Sequence, residues 1–155
     1  MKDSRLLSVL NTLGKSEWRE LRQFAQSPYF NTRADVCALL DYLSECLLEL
    51  RIVPSKEQVF RRVYRGKVYD AQQTRQLMSW GMKLVETWLT CRESLRNPVK
   101  TNLLLAEAYR EKQLSELFEL TMKKTRQLHE NQSPREGDWF ETGYQIEQAW
   151  YRYTA

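Results

Sequence analysis

The sequence is poor in the residues that interrupt helices. Only five glycines and four prolines occur among 155 residues, so long stretches contain nothing that ends or kinks a helix. Hydrophobic residues make up 42% and charged residues 28% of the chain, a balance typical of folded domains rather than of disordered segments. The composition therefore favours an all-helical protein with a buried core.

The chain also lacks a long apolar run. No stretch of 18 apolar residues is present, and the first seven residues lack the apolar segment of a signal peptide. Its three cysteines, Cys37, Cys46 and Cys91, are an odd number without a C-x-x-C pair, which argues against a disulfide framework. We therefore expect a cytoplasmic protein with free, buried thiols and no contact with a membrane.

Residue patterns typical of catalysis are equally scarce. His129 is the only histidine, and no H-E-x-x-H motif, cysteine cluster or glycine-rich phosphate loop occurs. Glu107 and Glu111 stand one helical turn apart, but Arg110 and Lys112 lie among them, as on a solvated helix face. The sequence predicts a protein that is not an enzyme and that holds no cofactor or metal.

Two amphipathic helical stretches meet at residues 26–36. Pro28 disfavours the helical conformation of the residue before it and so ends the first helix, and Asn31 is predicted to be the N-cap of the second. Tyr29 and Phe30 lie between them. Adjacent aromatics in a short loop predict side chains that fill the space between the two helices, with a partner-binding aromatic pair as the alternative.

Apolar residues at helical spacing continue along the chain and predict an all-α protein of about seven helices. The predicted features include a core helix from residue 32 to about residue 50, a break at Pro54, a capping box of Ser55 with Gln58, and a polar turn near Lys112 and Gln113. The longest pattern opens at Asp70 and ends at Pro98, and Gly81 within it allows a neighbouring helix to approach closely. A boundary after this helix predicts an N-terminal helical unit at 1–97 and the start of a helical-hairpin array at 98–155. The predicted core comprises Leu10, Trp18, Leu21, Phe24, Tyr29, Phe30, Val36, Leu40, Leu43, Leu47, Phe60, Leu77, Leu84 and Trp88.

Four segments stand out in order along the chain: Ser27-Pro28-Tyr29-Phe30-Asn31, Tyr69-Asp70, Leu77-Met78-Ser79, and an apolar helix through Leu84, Trp88 and Leu89. Together they resemble a family of uncharacterised all-helical proteins of the Bacteroidota. The resemblance covers most of the chain, and the five-residue string is its specific motif. It implies a longer parent protein with no established activity, and it assigns no catalytic residue.

The C-terminal part carries a second resemblance. Leu105 and Ala106 followed by Tyr109 are similar to the first helix of a tetratricopeptide repeat, and Trp139 with Gly143 begins a similar phrase further along. This resemblance implies stacked helical hairpins. Such hairpins are common protein-binding scaffolds, so we expect a scaffold or protein-interaction module whose partner the sequence does not identify.

The last predicted helix is rich in aromatic residues. Trp139, Phe140, Trp150 and Tyr153 are predicted to lie on one face, and no glycine, asparagine or proline follows to end the helix. A bare aromatic face needs a neighbour, because isolated repeats cannot bury their own faces. We therefore expect contact with another protein or a second copy of the chain, and we expect the chain to be the N-terminal piece of a longer solenoid.

Positive charge concentrates in the middle of the chain. Residues 51–100 hold eleven lysines and arginines against four acidic residues, or +7, whereas residues 101–155 hold seven against nine, or −2. The alternative function is therefore nucleic-acid binding by a helix-turn-helix-like region at 56–76, although its connection is longer than that motif allows. The predicted contacts are Arg61, Arg62, Arg65, Lys67 and Arg75.

Overall fold

The structure is a computed structural model that describes residues 4–132 and 138–155. The regular structure of these residues is entirely helical, which confirms the predicted all-α class with eight α-helices in place of about seven. The helices are α1 (Arg5–Leu10), α2 (Lys15–Gln26), α3 (Ala34–Ser44), α4 (Lys56–Val63), α5 (Ala71–Arg96), α6 (Pro98–Glu111), α7 (Ser115–Glu130) and α8 (Trp139–Thr154). No helix in the described part of the chain is long and apolar enough to cross a membrane.

The chain divides into two compact units, Met1–Leu89 and Thr90–Ala155. This division falls within α5, whereas the sequence places a boundary after residue 97. The last turns of α5 group with the second unit because they contact α6: the Thr101 hydroxyl donates a hydrogen bond to the Ser94 carbonyl at 2.7 Å.

The core of the first unit lies where the apolar faces of its helices meet. Gly81 of α5 is part of this contact, since a Cβ atom added there would lie 2.9 Å from Leu39 Cδ2 and 3.2 Å from Leu6 Cδ2. The predicted role of Gly81 in close helix approach is thus confirmed. Most of the predicted core residues are buried, namely Leu10, Trp18, Leu21, Val36, Leu40, Leu43, Phe60, Leu77, Leu84 and Trp88, and Phe24 and Leu47 are half-buried.

Local capping signals set several helix ends as predicted. Ser55 and Gln58 form a reciprocal capping box at the start of α4, with backbone-to-side-chain distances of 2.7 and 3.2 Å. The Asn97 side chain accepts hydrogen bonds from the first backbone N–H groups of α6, where Pro98 occupies the first position. These caps define where the helices that carry the candidate sites begin.

The helix predicted to run from residue 32 to about residue 50 is not uniform. It begins at Ala34, changes at Glu45 to a π-helical turn that ends at Leu50, and is followed by Arg51 in the left-handed conformation with φ of 54°. The wider turn places Cys46 fully inside the first unit. The helix thus ends before Pro54, as predicted.

In the second unit, α6 and α7 form a hairpin and α8 packs on both. The turn between α6 and α7 contains Gln113 at a φ of 59°, which confirms the predicted polar turn. The centre of the unit is closed by apolar side chains from all three helices, namely Val99, Ala106, Phe118, Met122 and Ile146.

Candidate functional site

The turn between α2 and α3 is held by hydrogen bonds on both sides. The backbone N–H groups of Phe30 and Asn31 donate to the Ser27 carbonyl at 3.1 and 3.0 Å. The Asn31 amide donates to the carbonyls of Ala25 at 2.8 Å and Arg33 at 3.1 Å, and its oxygen accepts from the Arg33 N–H at 3.1 Å. The prediction that Asn31 is the N-cap of α3 is therefore wrong. Asn31 instead joins the end of α2 to the start of α3.

The aromatic side chains of this turn face outward, so the prediction that they fill the interhelical space is wrong. Tyr29 is 88% exposed and Phe30 is 41% exposed. The end of α2 is bonded instead by the Asn31 side chain and by the thiol of Cys37, which donates to the Ala25 carbonyl at 3.2 Å. The junction of the two helices is therefore held by small polar groups rather than by the two rings.

The exposed rings nevertheless pack against each other. Phe30 stacks on Phe24 with ring centroids 4.1 Å apart, and the Tyr29 ring meets Phe30 edge-on at 5.0 Å. We call Phe24, Tyr29 and Phe30 the hinge surface. Because a hydrogen-bonded turn fixes the backbone beneath it, this surface presents aromatic area in one arrangement.

A cleft of about 250 Å³ adjoins the hinge surface. Phe30 forms part of its wall and Trp80 of α5 another part, and the cleft has two cations and no carboxylate in its lining. The lining residues are Phe30, Asn31, Thr32, Arg33, Val36, Trp80, Lys83, Leu84 and Thr87. The sequence offered no signal for the contributions of Trp80 and Lys83, which lie far along the chain from the turn.

Arg33 is fixed in the wall of this cleft. Its guanidinium carbon lies 3.3 Å from the centre of the Trp80 ring, and its Nη2 donates to the Asp35 carboxylate at 2.8 Å. The Tyr64 hydroxyl donates to the same carboxylate at 2.7 Å. Burial alone raises the pKa of Asp35, but the hydrogen bonds from Arg33 and Tyr64 outweigh it, so the pKa is lowered and the carboxylate stays charged.

The basic residues predicted to contact nucleic acid are exposed but partly matched by acids. Arg62 lies 3.5 Å from Glu45 and Arg61 lies 3.9 Å from Glu57. A cleft of about 410 Å³ brings Arg62 together with Arg65, and three acidic residues share its lining, namely Asp41, Glu45 and Glu49. The local potential is mixed rather than strongly positive.

The other two predicted contacts lie apart from this cleft. The Lys67 ammonium lies 5.4 Å from the centre of the Tyr64 ring, and Arg75 lies on the second turn of α5. Seven residues separate the end of α4 at Val63 from the start of α5 at Ala71. This connection is longer than that of a helix-turn-helix, as the sequence indicated.

Three of the four predicted contact residues of α8 pack within the second unit. Tyr153 stacks on Phe118 with centroids 4.2 Å apart, and Trp150 meets the same ring edge-on at 5.6 Å. Trp139 stacks on His129 at 4.6 Å and donates to its carbonyl at 3.2 Å. Phe140 of the predicted set lies in the open, at 73% exposed, so the predicted face packs in part on α7, and its contact with another protein or a second copy stays a prediction.

The aromatic face that α8 leaves exposed is a different one. Phe140 shares it with Tyr144, which is 65% exposed, and with Tyr151, which is 72% exposed. Their spacing of four and seven residues is typical of one face of a helix. Because the buried face of α8 is equally aromatic, the sequence pattern alone does not show which of the two faces is exposed.

The second unit also has a groove of about 800 Å³ on the side of α6 and α8. Its charges cancel: Lys100 and Arg152 line it together with Glu93 and Glu107. Hydrogen bonds from Arg110 lower the pKa of Glu107, which keeps this carboxylate charged, as expected on a solvated helix face.

The histidine and the cysteines of the chain lie in different surroundings. His129 is buried, and its Nε2 lies 2.8 Å from the Trp139 carbonyl, which joins the end of α7 to the start of α8. All three cysteines are free, and burial raises the pKa of Cys37 and of Cys46. Within residues 4–132 and 138–155, no group of three or more histidine, cysteine or acidic side chains is placed to hold a metal ion.

Comparison with protein families, with curated proteins and with solved structures finds no match for the chain. The resemblances to a Bacteroidota family and to tetratricopeptide repeats therefore stay predictions.

Proposed function

We propose that the protein is a non-enzymatic helical module that binds another protein through the hinge surface. The observation that carries this proposal is the exposure of Tyr29 and Phe30 on a turn that Asn31 holds in one conformation. Rigid aromatic side chains lose little conformational entropy when a partner covers them, so they are well suited to dominate the affinity of an interface.

The cleft beside the hinge surface indicates the chemistry of the partner. Arg33 and Lys83 are its charged lining residues, and the remainder of the wall includes the apolar side chains of Val36, Trp80 and Leu84. A complementary partner segment inserts one apolar side chain and places an acidic residue next to it, near Lys83. The volume of about 250 Å³ is sufficient for a single large side chain rather than for a metabolite with several rings.

The proposal includes the absence of catalysis, and the placement of the reactive side chains supports it. His129 packs against Trp139 in the second unit. The pKa of Cys37 and that of Cys46 are raised by burial, which disfavours the thiolate that a nucleophile requires. We also propose a cytoplasmic location, for which the three free thiols are the support.

We further propose that the second unit is a tetratricopeptide-like array. Its support is a helical hairpin, α6 and α7, followed by a helix that packs on both members of the hairpin. Nucleic-acid binding remains the alternative, but the acidic residues beside Arg62 and Arg65 weaken the attraction of this face for phosphate.

The test compares two variants of the full chain as baits in extracts of the cells that make it. Tyr29→Ser combined with Phe30→Ser removes two of the three aromatic side chains of the hinge surface. Val68→Ser removes an apolar side chain that is 90% exposed elsewhere in the same unit. A protein that is recovered with the wild type and with Val68→Ser, and lost with the double variant, supports the proposal. Recovery of the same proteins with all three baits contradicts it.

If the baits instead recover nucleic acid, a mobility-shift titration decides between the two functions. Tight binding at physiological salt that is abolished by Arg61→Ala with Arg62→Ala, and unaffected by the hinge variants, establishes the alternative.

A further inference from the structure

Three aromatic side chains form one exposed stripe along α8. At 3.6 residues per turn, Phe140, Tyr144 and Tyr151 lie within about 40° of each other on the helix circumference. Each is at least 65% exposed. With roughly 200 Å² per side chain, the stripe exposes about 400 Å² on one copy, which is as large as the main apolar patches of ordinary monomers.

Two opposite charges flank the stripe on the same edge. Glu141 and Arg152 are both exposed, and their positions on the helix circumference differ by only about 20°. They lie at opposite ends of the helix, on either side of the level of Ile146. Arg152 also lines the groove that contains Glu107, but its five N–H donors can bond a second carboxylate. A helix with an apolar stripe and opposite charges at the two ends of one edge is complementary to itself in antiparallel orientation.

We propose that the stripe pairs with the same stripe of a second copy of the chain, as an antiparallel helix pair about a two-fold axis level with Ile146. This axis places each residue level with a residue of the other copy. The two residues lie the same number of positions from Ile146, one before it and one after it. Phe140 then lies within one residue of the level of Tyr151 in the second copy, and Tyr144 lies level with Gln148.

The charges pair under the same operation. A two-fold axis perpendicular to both helices keeps each edge of the stripe beside the same edge in the second copy. Glu141 of one copy therefore lies within one residue of the level of Arg152 of the other, and the contact forms twice. Glu147 lies on the opposite edge near the axis, where its charge is offset by Arg126, whose Nη2 donates to it at 2.6 Å.

The size of the stripe sets the expected strength. Two copies bury about 800 Å² of aromatic surface, which is below the area of a standard stable interface. The pair is therefore a weak dimer that populates at high micromolar concentration. It uses a surface in the second unit, so it is independent of the proposed binding of a partner by the hinge surface.

Analytical ultracentrifugation of the full chain from about 5 to about 500 μM tests the pairing. The wild type is expected to show a reversible monomer–dimer equilibrium. Glu141→Arg alone and Arg152→Glu alone each replace two attractive contacts by repulsive ones and are expected to weaken the dimer about tenfold or more. An equimolar mixture of these two variants is expected to restore it, because the heterodimer again pairs opposite charges.

Two further variants separate the stripe from its surroundings. Tyr144→Ser with Tyr151→Ser is expected to abolish the dimer, whereas Lys124→Glu, at an exposed site on the side of α7 opposite to Arg126, is expected to leave it unchanged. Circular dichroism and thermal melts verify that each variant is folded. The inference is overturned by a wild type that is monomeric throughout the range, by a dimer that either charge reversal leaves intact, or by failure of the mixture to restore pairing.

Discussion

The guanidinium carbon of Arg33 lies over the ring of Trp80, 3.3 Å from its centre. The same group donates to the Asp35 carboxylate through both Nε and Nη2, at 3.1 and 2.8 Å. Residues from α5 and from the start of α3 are thus joined at the cleft beside the hinge surface. Under the proposed function, a partner would meet a wall whose cation is already oriented, which reduces the entropy that binding must overcome.

Replacement of Tyr64 by phenylalanine tests the hydrogen bond that completes this wall. Burial, together with the bond to Asp35, raises the pKa of Tyr64 to about 12 from an ordinary value of 10.0. Because the folded-state pKa is above the unfolded value, the stabilisation by the neutral hydroxyl is complete below about pH 10 and is lost as the pH rises toward about 12. At pH 8 we expect Tyr64→Phe to lower the free energy of unfolding by about 1 kcal/mol.

Urea unfolding of both proteins at pH 8 and at pH 11 measures this effect. The difference between wild type and Tyr64→Phe is expected to shrink at pH 11, where the unfolded wild type gains a tyrosinate and the variant does not. A difference that stays the same at both pH values would show that the hydroxyl does not bond the carboxylate.

Alanine substitution at two phenylalanines distinguishes the hinge surface from the core. Phe60 is fully buried, so Phe60→Ala is expected to lower the free energy of unfolding by about 3 to 5 kcal/mol. Phe30 is 41% exposed and stacks on Phe24, so Phe30→Ala is expected to cost only about 1 kcal/mol. Denaturant titrations of the two variants provide the comparison, and equal losses would mean that Phe30 is a core residue.

Asn31→Ala tests what holds the hinge in place. The variant loses the amide that donates to the carbonyl of Ala25, in the last turn of α2, and to the carbonyl of Arg33, just before α3. We expect a loss of about 1 to 2 kcal/mol in the free energy of unfolding. Asn11→Ala, at an exposed site after α1, is the matched control and is expected to change stability by less than about 0.5 kcal/mol.

The features that sequence predicts well are those set by neighbouring residues. The capping box of Ser55 with Gln58 and the stop at Asn97 and Pro98 each act within one or two helical turns. Periodic apolar residues likewise identify the buried face of a helix when its other face is polar.

The errors arise where the environment comes from distant residues. Asn31 and Cys37 bond the Ala25 carbonyl at the end of α2, and Tyr29 and Phe30 lie at the surface, an arrangement that the spacing of aromatics does not reveal. On α8 both faces are aromatic, and docking against Phe118 and His129 decides which of them is covered. The cleft requires Trp80, which only the packing of α5 brings near the hinge.

Site-specific crosslinking measures the central claim most directly. A photoreactive phenylalanine analogue placed at position 29 lies on the hinge surface, and the same analogue at position 68 lies on an equally exposed site of the first unit. Irradiation in the cells that make the protein is expected to yield a discrete crosslinked partner from position 29 and none from position 68, with the yield from position 29 reduced by Asn31→Ala. Equal crosslinking from both positions, or from neither, would contradict the account.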